Sequence, residues 1–413
     1  MASFSFGAGN VAKLARIPLY LAGRLATLLV PRSRGRWVFG CAVGIADGAL
    51  ALWECAVDTH GENARWLTAD AAQDAAARAR GIPTVRKDSL RGFWETARAG
   101  VVVVTHGFGD ANRYATTGAF VVQLWHGIPL KRIGLDAPVT TRSPILPAVT
   151  EPLLRALYRR TQRRISLLPA ASHLVRGRLE SAFALPDGRV PVTGEPRVDV
   201  LARGDVAGRR RTAREQLGAL TGPLADDTRA ILYAPTWRDG AADPAVPTAA
   251  DWALLDEMLA QTGAVLYIRS HPLGAGDYRT DSPRVRALGS AVTPDVTPLL
   301  PAFDVLVTDY SSLVFDASLV PVPAVLLAPD GAAYALERGF YGTLADVAAA
   351  PATDWTGAVA QLRAVLTDDA ERARRTAHAQ QLDARVHAYR DGGATERVYR
   401  AITARRHPER AGR

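Results

Sequence analysis

FDVLVTDYSSLVFDASL, residues 303–319, is the stretch whose reading decides the fold. Val305, Leu306, Val307 and Thr308 form a short apolar run, the pattern of a strand buried on both faces of a parallel sheet. Asp309, Tyr310, Ser311 and Ser312 break the run with turn and cap residues. Leu313, Val314, Phe315, Ala317 and Leu319 then resume the apolar pattern at helix-compatible spacing. Such a turn gathers free backbone N–H groups and the positive end of a helix dipole, which together favour an anion. The same residues would equally make an ordinary capped strand-to-helix turn.

Outward from this point the pattern repeats. Strands are predicted at residues 37–43, 64–68, 84–86, 101–105, 119–124, 166–170 and 190–193, with an Ala-rich helix at 69–80. A proline-bearing loop at 136–152 reads as a mobile or membrane-facing insertion. An Arg-rich helix at 207–217 leads to further strands at 230–234, 264–269, 305–308 and 322–327, a helix at 252–261, and a helical tail from 355. This βα alternation argues for doubly wound parallel sheets. A chain of 413 residues is long for one core. Two Rossmann-like domains follow, residues 31–205 and 206–413, with the tail assigned to the second.

The first 30 residues stand apart. Residues 10–30 mix an apolar stripe with Lys13, Arg16 and Arg24, and PRSRGR follows. A signal peptide would keep its charges ahead of the apolar core. The mixture fits either an amphipathic helix lying on an anionic membrane surface or a leading helix packed on the first domain.

Composition bounds the rest. The chain is 48% hydrophobic and 22% charged, as soluble globular proteins are. A net charge of +9 favours anionic partners. Nucleic acid is not expected among them, because no basic run is interleaved with stacking aromatics and no zinc-finger or RNP-type motif occurs. Cys41 and Cys55 are the only cysteines, one disulfide at most and without metal-ligand pair spacing, so a reducing, cytoplasmic setting fits best; no protein metal site and no cofactor are expected, with a divalent ion bridging substrate phosphates left open. No apolar stretch reaches the length of a spanning helix.

Four motifs place polar residues directly after an apolar strand: WHGIP (residues 125–129), YAPTWRD (233–239), RSHP (269–272) and TDYSS (308–312). Ligands of open α/β sheets bind beyond the carboxyl ends of the strands. Arg238, Arg269 and His271 supply charge there, and Ser311 and Ser312 supply hydroxyls and N–H groups for oxyanions. His126, followed by Gly127, is either a structural histidine or the base for an attacking hydroxyl. His106, followed by Gly107, is its rival.

WHGIPLKRIG (125–134), GEPRVD (194–199), YAPTWRD, SHP, TDYSSLVFD and RGFYG (338–342) together resemble the CDP-glycerol:poly(glycerophosphate) glycerophosphotransferase family, the teichoic-acid primases and polymerases with their ribitol-phosphate relatives. The resemblance implies an α/β GT-B fold, two Rossmann-like domains facing across a cleft, after an N-terminal amphipathic segment. It implies an enzyme moving glycerol phosphate or ribitol phosphate from CDP-glycerol or CDP-ribitol to a hydroxyl of a lipid-linked acceptor, at the cytoplasmic face of the membrane. By the same resemblance His126 and His271 are the catalytic candidates. Gly127, Thr236, Trp237, Arg238, Arg269, Asp309, Ser311 and Ser312 are the substrate-binding candidates. The GEPRVD segment departs from the family's GYPRND-like pattern, so the role of the missing Asn is absent. A nucleotide-sugar glycosyltransferase on the same fold, and a catalytically silent membrane-associated binding protein, are the competing readings.

Overall fold

Buried β-branched runs become parallel strands throughout, because a strand covered on both faces gains from apolar side chains on each. A computed structural model describes residues 17–143, 146–236, 238, 242–270, 276–348 and 350–406 of the chain. They fall into two units.

The first unit holds residues 17–126, 132–199 and 391–406. Its strands are β1 (Ser33–Gly40), β2 (Asn63–Thr68), β3 (Thr84–Arg86), β4 (Ala99–Val104), β5 (Phe120–Gln123) and β6 (Ile165–Leu167). They pair in parallel in the order β3-β2-β1-β4-β5-β6, the doubly wound arrangement whose winding direction reverses between β1 and β4. Aromatic rings fill the core on one face: Phe39 packs against Trp37, Trp53 and Trp66 with centroids 5.2–6.1 Å apart. At the end of β1 the chain passes so close to the turn at Asp110 that a Cβ on Gly40 would lie 2.1 Å from the Asp110 carbonyl oxygen. Only glycine permits that approach.

The second unit holds residues 127–131 and 200–390. Its strands are β7 (Arg229–Ala234), β8 (Ala264–Ile268), β9 (Val285–Ala287), β10 (Val305–Thr308) and β11 (Ala324–Leu326), parallel in the order β11-β10-β7-β8-β9. Ile231, Leu266, Val305, Val307, Trp355 and Leu362 belong to its main core. The strand expected at 305–308 forms with those bounds, and all four of its residues are buried.

Four local expectations change. β9 carried no sequence signal: it is three residues long, lies at the sheet edge and has no buried residue. The run at 190–193 contributes a single bridge, Ala170 to Val192, and no strand. The loop expected at 136–152 gives way at Pro147 to a helix, Pro147–Gln162, which accommodates Pro152 in its second turn. The largest change concerns the tail. The helix Ala394–Arg406 belongs to the first unit, not the second, and buries Val398, Tyr399 and Ile402 in the aromatic core. Its start is held by the GEPRVD motif: the Asp199 carboxylate accepts from the N–H groups of Ala394 (3.0 Å) and Thr395 (2.7 Å). A carboxylate on the first free N–H groups of a helix satisfies donors that the helix itself cannot.

Asp199→Ala removes this cap and leaves two N–H groups without their acceptor. We expect a loss of about 1–2 kcal/mol in urea unfolding. Unchanged stability would show that the return of the C-terminal helix does not depend on the motif.

Candidate functional site

In the first unit the chemistry gathers where β4 and β5 end. Asp110 Oδ2 accepts from the backbone N–H of Thr105 (2.9 Å) and of His106 (2.7 Å), which turns the chain sharply after β4. Thr105 Oγ1 lies 2.8 Å from His106 Nδ1. After β5, Trp125 takes a left-handed backbone (φ 65°), strained for a bulky residue, and Gly127 follows at φ 125°. The outcome is that His126 lies flat against His106, ring centroids 4.3 Å apart and planes 2° from parallel. The two rival histidines therefore form one stacked pair. Trp125 packs edge-on against Phe183 beside it.

Burial drives the His126 pKa well below the ordinary imidazole value, and the neighbouring His106 and Arg197 charges push the same way. His106 is lowered as well, by burial first, with Asp110 and Asp47 opposing. His126 is thus a neutral imidazole at neutral pH, and its Nδ1 has no hydrogen-bond partner among the described residues. Arg197 is held by Asp47 at 3.0 Å. The arrangement can accept a proton from an incoming hydroxyl.

In the second unit β7 and β10 are neighbours, and Asp309 follows β10 directly. Its Oδ1 accepts from the N–H of Thr236 (2.9 Å) and of Tyr310 (2.6 Å), tying the ends of both strands together. Oδ2 accepts from Arg238 Nη1 at 2.9 Å. Arg238 also grips Asp330 with Nε (2.9 Å) and Nη2 (3.0 Å), and gives a further Nη1 bond to the Thr236 carbonyl at 2.6 Å. Its guanidinium lies 4.9 Å from the ring centres of Tyr310 and Tyr334, which stack on each other at 4.1 Å. Burial opposes the charge on Arg238, but the two carboxylates outweigh it and the pKa rises. Arg238 is buried and four of its five N–H donors are taken up inside the protein, so it braces the site.

The other candidates separate in the same way. Arg269 donates to the carbonyls of Leu288 (3.2 Å), Thr293 (3.0 Å) and Pro294 (3.0 Å), fastening the segment after β9. Ser311 and Ser312 are half-buried at the start of the helix Leu313–Ser318, and Ser312 makes no side-chain cap bond. The Thr236 hydroxyl is buried and has no partner among the described residues. Trp237 and His271 lie outside the described residues.

Sequence reasoning missed Lys131, at the end of the WHGIPLK run. Burial brings its amine down to about 8, with Asp309 opposing and Arg338 and Arg238 adding to the effect, and it stands 5.9 Å from the Tyr334 ring centre. Its place shortly after the end of β5 was a signal in plain view, but a lysine is most often a solvated surface charge. Asp110 was missed too, because its role rests mainly on backbone N–H groups, which carry no sequence signal. Among the described residues one group has metal-ligating character, Cys55, His60 and Glu396, elsewhere in the first unit.

Comparison with known proteins places the chain in a family. The chain is 30% identical over 226 residues to the teichoic acid poly(glycerol phosphate) polymerase of Staphylococcus epidermidis, covering 53% of this chain and 30% of that protein. It is 29% identical over 275 residues to the teichoic acid glycerol-phosphate transferase of Staphylococcus aureus, 63% of this chain and 65% of that one. The chain thus spans less than two thirds of the length of these relatives. The solved structure of the wall teichoic acid polymerase TagF superposes with a TM-score of 0.76 at 22% identity over 97% of both chains, a likeness of fold that makes the two α/β units those of the GT-B class. The model of the CDP-Glycerol:Poly(glycerophosphate) glycerophosphotransferase family matches residues 33–404, and the chain belongs to that family.

Proposed function

We propose that the protein transfers a polyol phosphate, glycerol phosphate or ribitol phosphate, from its CDP-activated form to a hydroxyl of a lipid-linked acceptor. The observation that carries this reading is the neutral, stacked His126 at the end of β5, in a member of this family. The acceptor oxygen attacks the β-phosphorus of the donor while His126 takes its proton. The new P–O bond forms as the pyrophosphate P–O bond breaks, and CMP leaves with the electron pair. A base acting at neutral pH must be unprotonated, which the burial of His126 secures. A histidine-to-asparagine variant of TagF has been solved after soaking with CDPG, which supports a donor of this kind for the fold's relatives and, by our reading, for this chain.

In the second unit we assign the donor phosphates to Ser311, Ser312, the Thr236 hydroxyl and Lys131. Asp309 and Arg238 hold these groups in place, and His271 completes the set by its motif. The hydroxyls and the N–H groups of the turn match oxyanions, and an ammonium partly freed of its water offsets charge growing on the leaving group.

We also propose that the first unit meets an anionic membrane surface, where a lipid-linked acceptor would be found. In the helix Ile17–Leu29, Gly23 and Thr27 are buried on the unit and Tyr20 packs on Tyr114, while Leu19, Leu21, Leu25, Leu28 and Leu29 are exposed. The helix Pro147–Gln162 exposes Val149, Leu153 and Leu157, with Arg155, Arg159 and Arg160 on the same helix. Apolar residues beside arginines are what an interfacial helix needs. Among the described residues no helix is long and apolar enough to cross a membrane.

Three outcomes test the reading. His126→Ala is expected to lose roughly 10²- to 10⁴-fold in CMP release with CDP-glycerol or CDP-ribitol and a lipid-linked acceptor. Because burial lowers the imidazole pKa, the wild-type rate should hold through neutral pH and fall only below about 6.5. His106→Ala is the companion variant, and full activity in His126→Ala would overturn the assignment. Replacing Ser311 and Ser312 with Ala, or Lys131 with Met, should weaken CDP-donor binding in calorimetry by roughly tenfold while circular dichroism stays unchanged. Unaltered affinity would make the turn purely structural. Finally, the chain should sediment with phosphatidylglycerol vesicles, less so in high salt, and a Leu21/Leu25/Leu28→Ser variant should bind roughly tenfold more weakly. Equal binding of that variant would remove the helix from the membrane contact.

A further inference from the structure

A π-helical turn in the first unit, Glu54–Thr59, ends the helix Asp47–Trp53. The N–H of His60 bonds to the carbonyl of Cys55 at 3.1 Å, the i to i+5 spacing that defines such a turn. In an α-helix two residues five apart point about 140° away from each other. The wider π turn brings the Cys55 and His60 side chains to one side instead. There they meet Glu396, from the C-terminal helix that returns to the first unit: Cys55 Sγ donates to Glu396 Oε2 at 3.4 Å, and His60 Nε2 lies 2.8 Å from the same oxygen.

The three ligand atoms lie within 4.8 Å of one another. Tetrahedral zinc with bonds of about 2.0–2.3 Å sets its ligands about 3.3–3.7 Å apart, so the group closes on an ion with small side-chain movements. Thiolate, imidazole and carboxylate together suit a borderline-soft divalent ion better than Mg²⁺ or Ca²⁺. The surroundings orient the ligands. The His60 ring stacks on Tyr399 at 3.9 Å and 8°, Tyr399 donates to Glu62 at 3.0 Å, and Arg400 donates to Glu396 Oε1 at 2.7 Å, leaving Oε2 turned to the other two. The His60 and Glu396 side chains are 30% and 34% exposed, enough for an ion to enter and a water to take the fourth position.

We propose that Cys55, His60 and Glu396 form a site for Zn²⁺ or a cation of like chemistry, which fastens the C-terminal helix to the π turn. Binding releases the thiol proton to solvent, uses the lone pair of Nε2 with the ring proton on Nδ1, and takes Oε2 of the carboxylate. The guanidinium of Arg400 opposes the cation, so affinity falls below that of a closed four-ligand site. The site is independent of the transferase reading.

The full-length, untagged chain, reduced with a phosphine and freed of metal by chelator, is titrated with Zn²⁺ by calorimetry and with Co²⁺ by absorbance. We expect one equivalent of Zn²⁺ with a Kd below about 10 µM, a thiolate-to-Co²⁺ charge-transfer band, and a melting temperature raised by Zn²⁺. Cys55→Ser, His60→Gln and Glu396→Gln should each weaken binding at least about tenfold, and Cys55→Ser should abolish the band. His173→Gln, an exposed histidine on another helix, should change nothing. Absence of saturable binding up to about 100 µM, or a band that persists in Cys55→Ser, overturns the site. If Cys55→Ser fails to fold, Glu396→Gln, at a partly exposed position, takes its place: binding at wild-type strength in that variant overturns the site equally.

Discussion

A parallel strand that ends inside a protein leaves backbone N–H groups that must find acceptors, and in both units one buried carboxylate provides them. Asp110 takes the N–H groups of Thr105 and His106 just after β4, and Asp309 takes those of Thr236 and Tyr310 after β7 and β10. An unsatisfied buried N–H costs roughly 1–3 kcal/mol, so each carboxylate fixes its turn firmly. What the turns then present differs. Asp110 presents a pair of imidazoles, while Asp309 presents a guanidinium locked to two carboxylates.

That difference follows from how each unit treats charge. Beside Asp110 both stacked histidines lose water, which favours the neutral ring, and the charge of His106 adds to that pressure on His126. Beside Asp309 the buried Arg238 keeps its charge because Asp309 and Asp330 accept its donors and the stacked pair Tyr310 and Tyr334 lies against its guanidinium. One unit thereby holds neutral rings and the other a fixed, paired charge. Arg238 shows how a charged residue in a strand-end motif can act on its own protein: it ties Thr236 and the β10 turn to Asp330.

The C-terminal helix shows a second use of a motif residue. Arg197 and Asp199 lie two apart in GEPRVD, yet one pairs with Asp47 and the other caps a helix far along the chain. The helix so anchored completes the aromatic core with Tyr399 and delivers Glu396 to Cys55 and His60. A single carboxylate, bonded to two amides, thus supports both a core and a side-chain cluster.

The sequence by itself determined most of the strands, because a run such as Val305–Thr308 or Val101–Val104 is long enough and apolar enough to be stable only when buried in a parallel sheet. It also marked the chain positions where polar residues follow strands, since Asp309, Ser311, Ser312, His126 and Gly127 interrupt apolar runs abruptly. Tertiary structure alone decided what those residues touch. The stacking of His106 on His126 depends on two separate loops meeting beyond the sheet, and the use of Arg238 and Arg269 within the protein depends on carboxylates and carbonyls brought from distant turns. β9 was illegible because so short a run of largely unburied residues carries no periodicity, and the C-terminal helix was misplaced because helical pattern records an apolar face and not the partner that covers it. Cys55, His60 and Glu396 were invisible for a related reason: local spacing describes a helix of ordinary pitch, whereas their meeting requires a π turn and a contact closed across almost the whole chain.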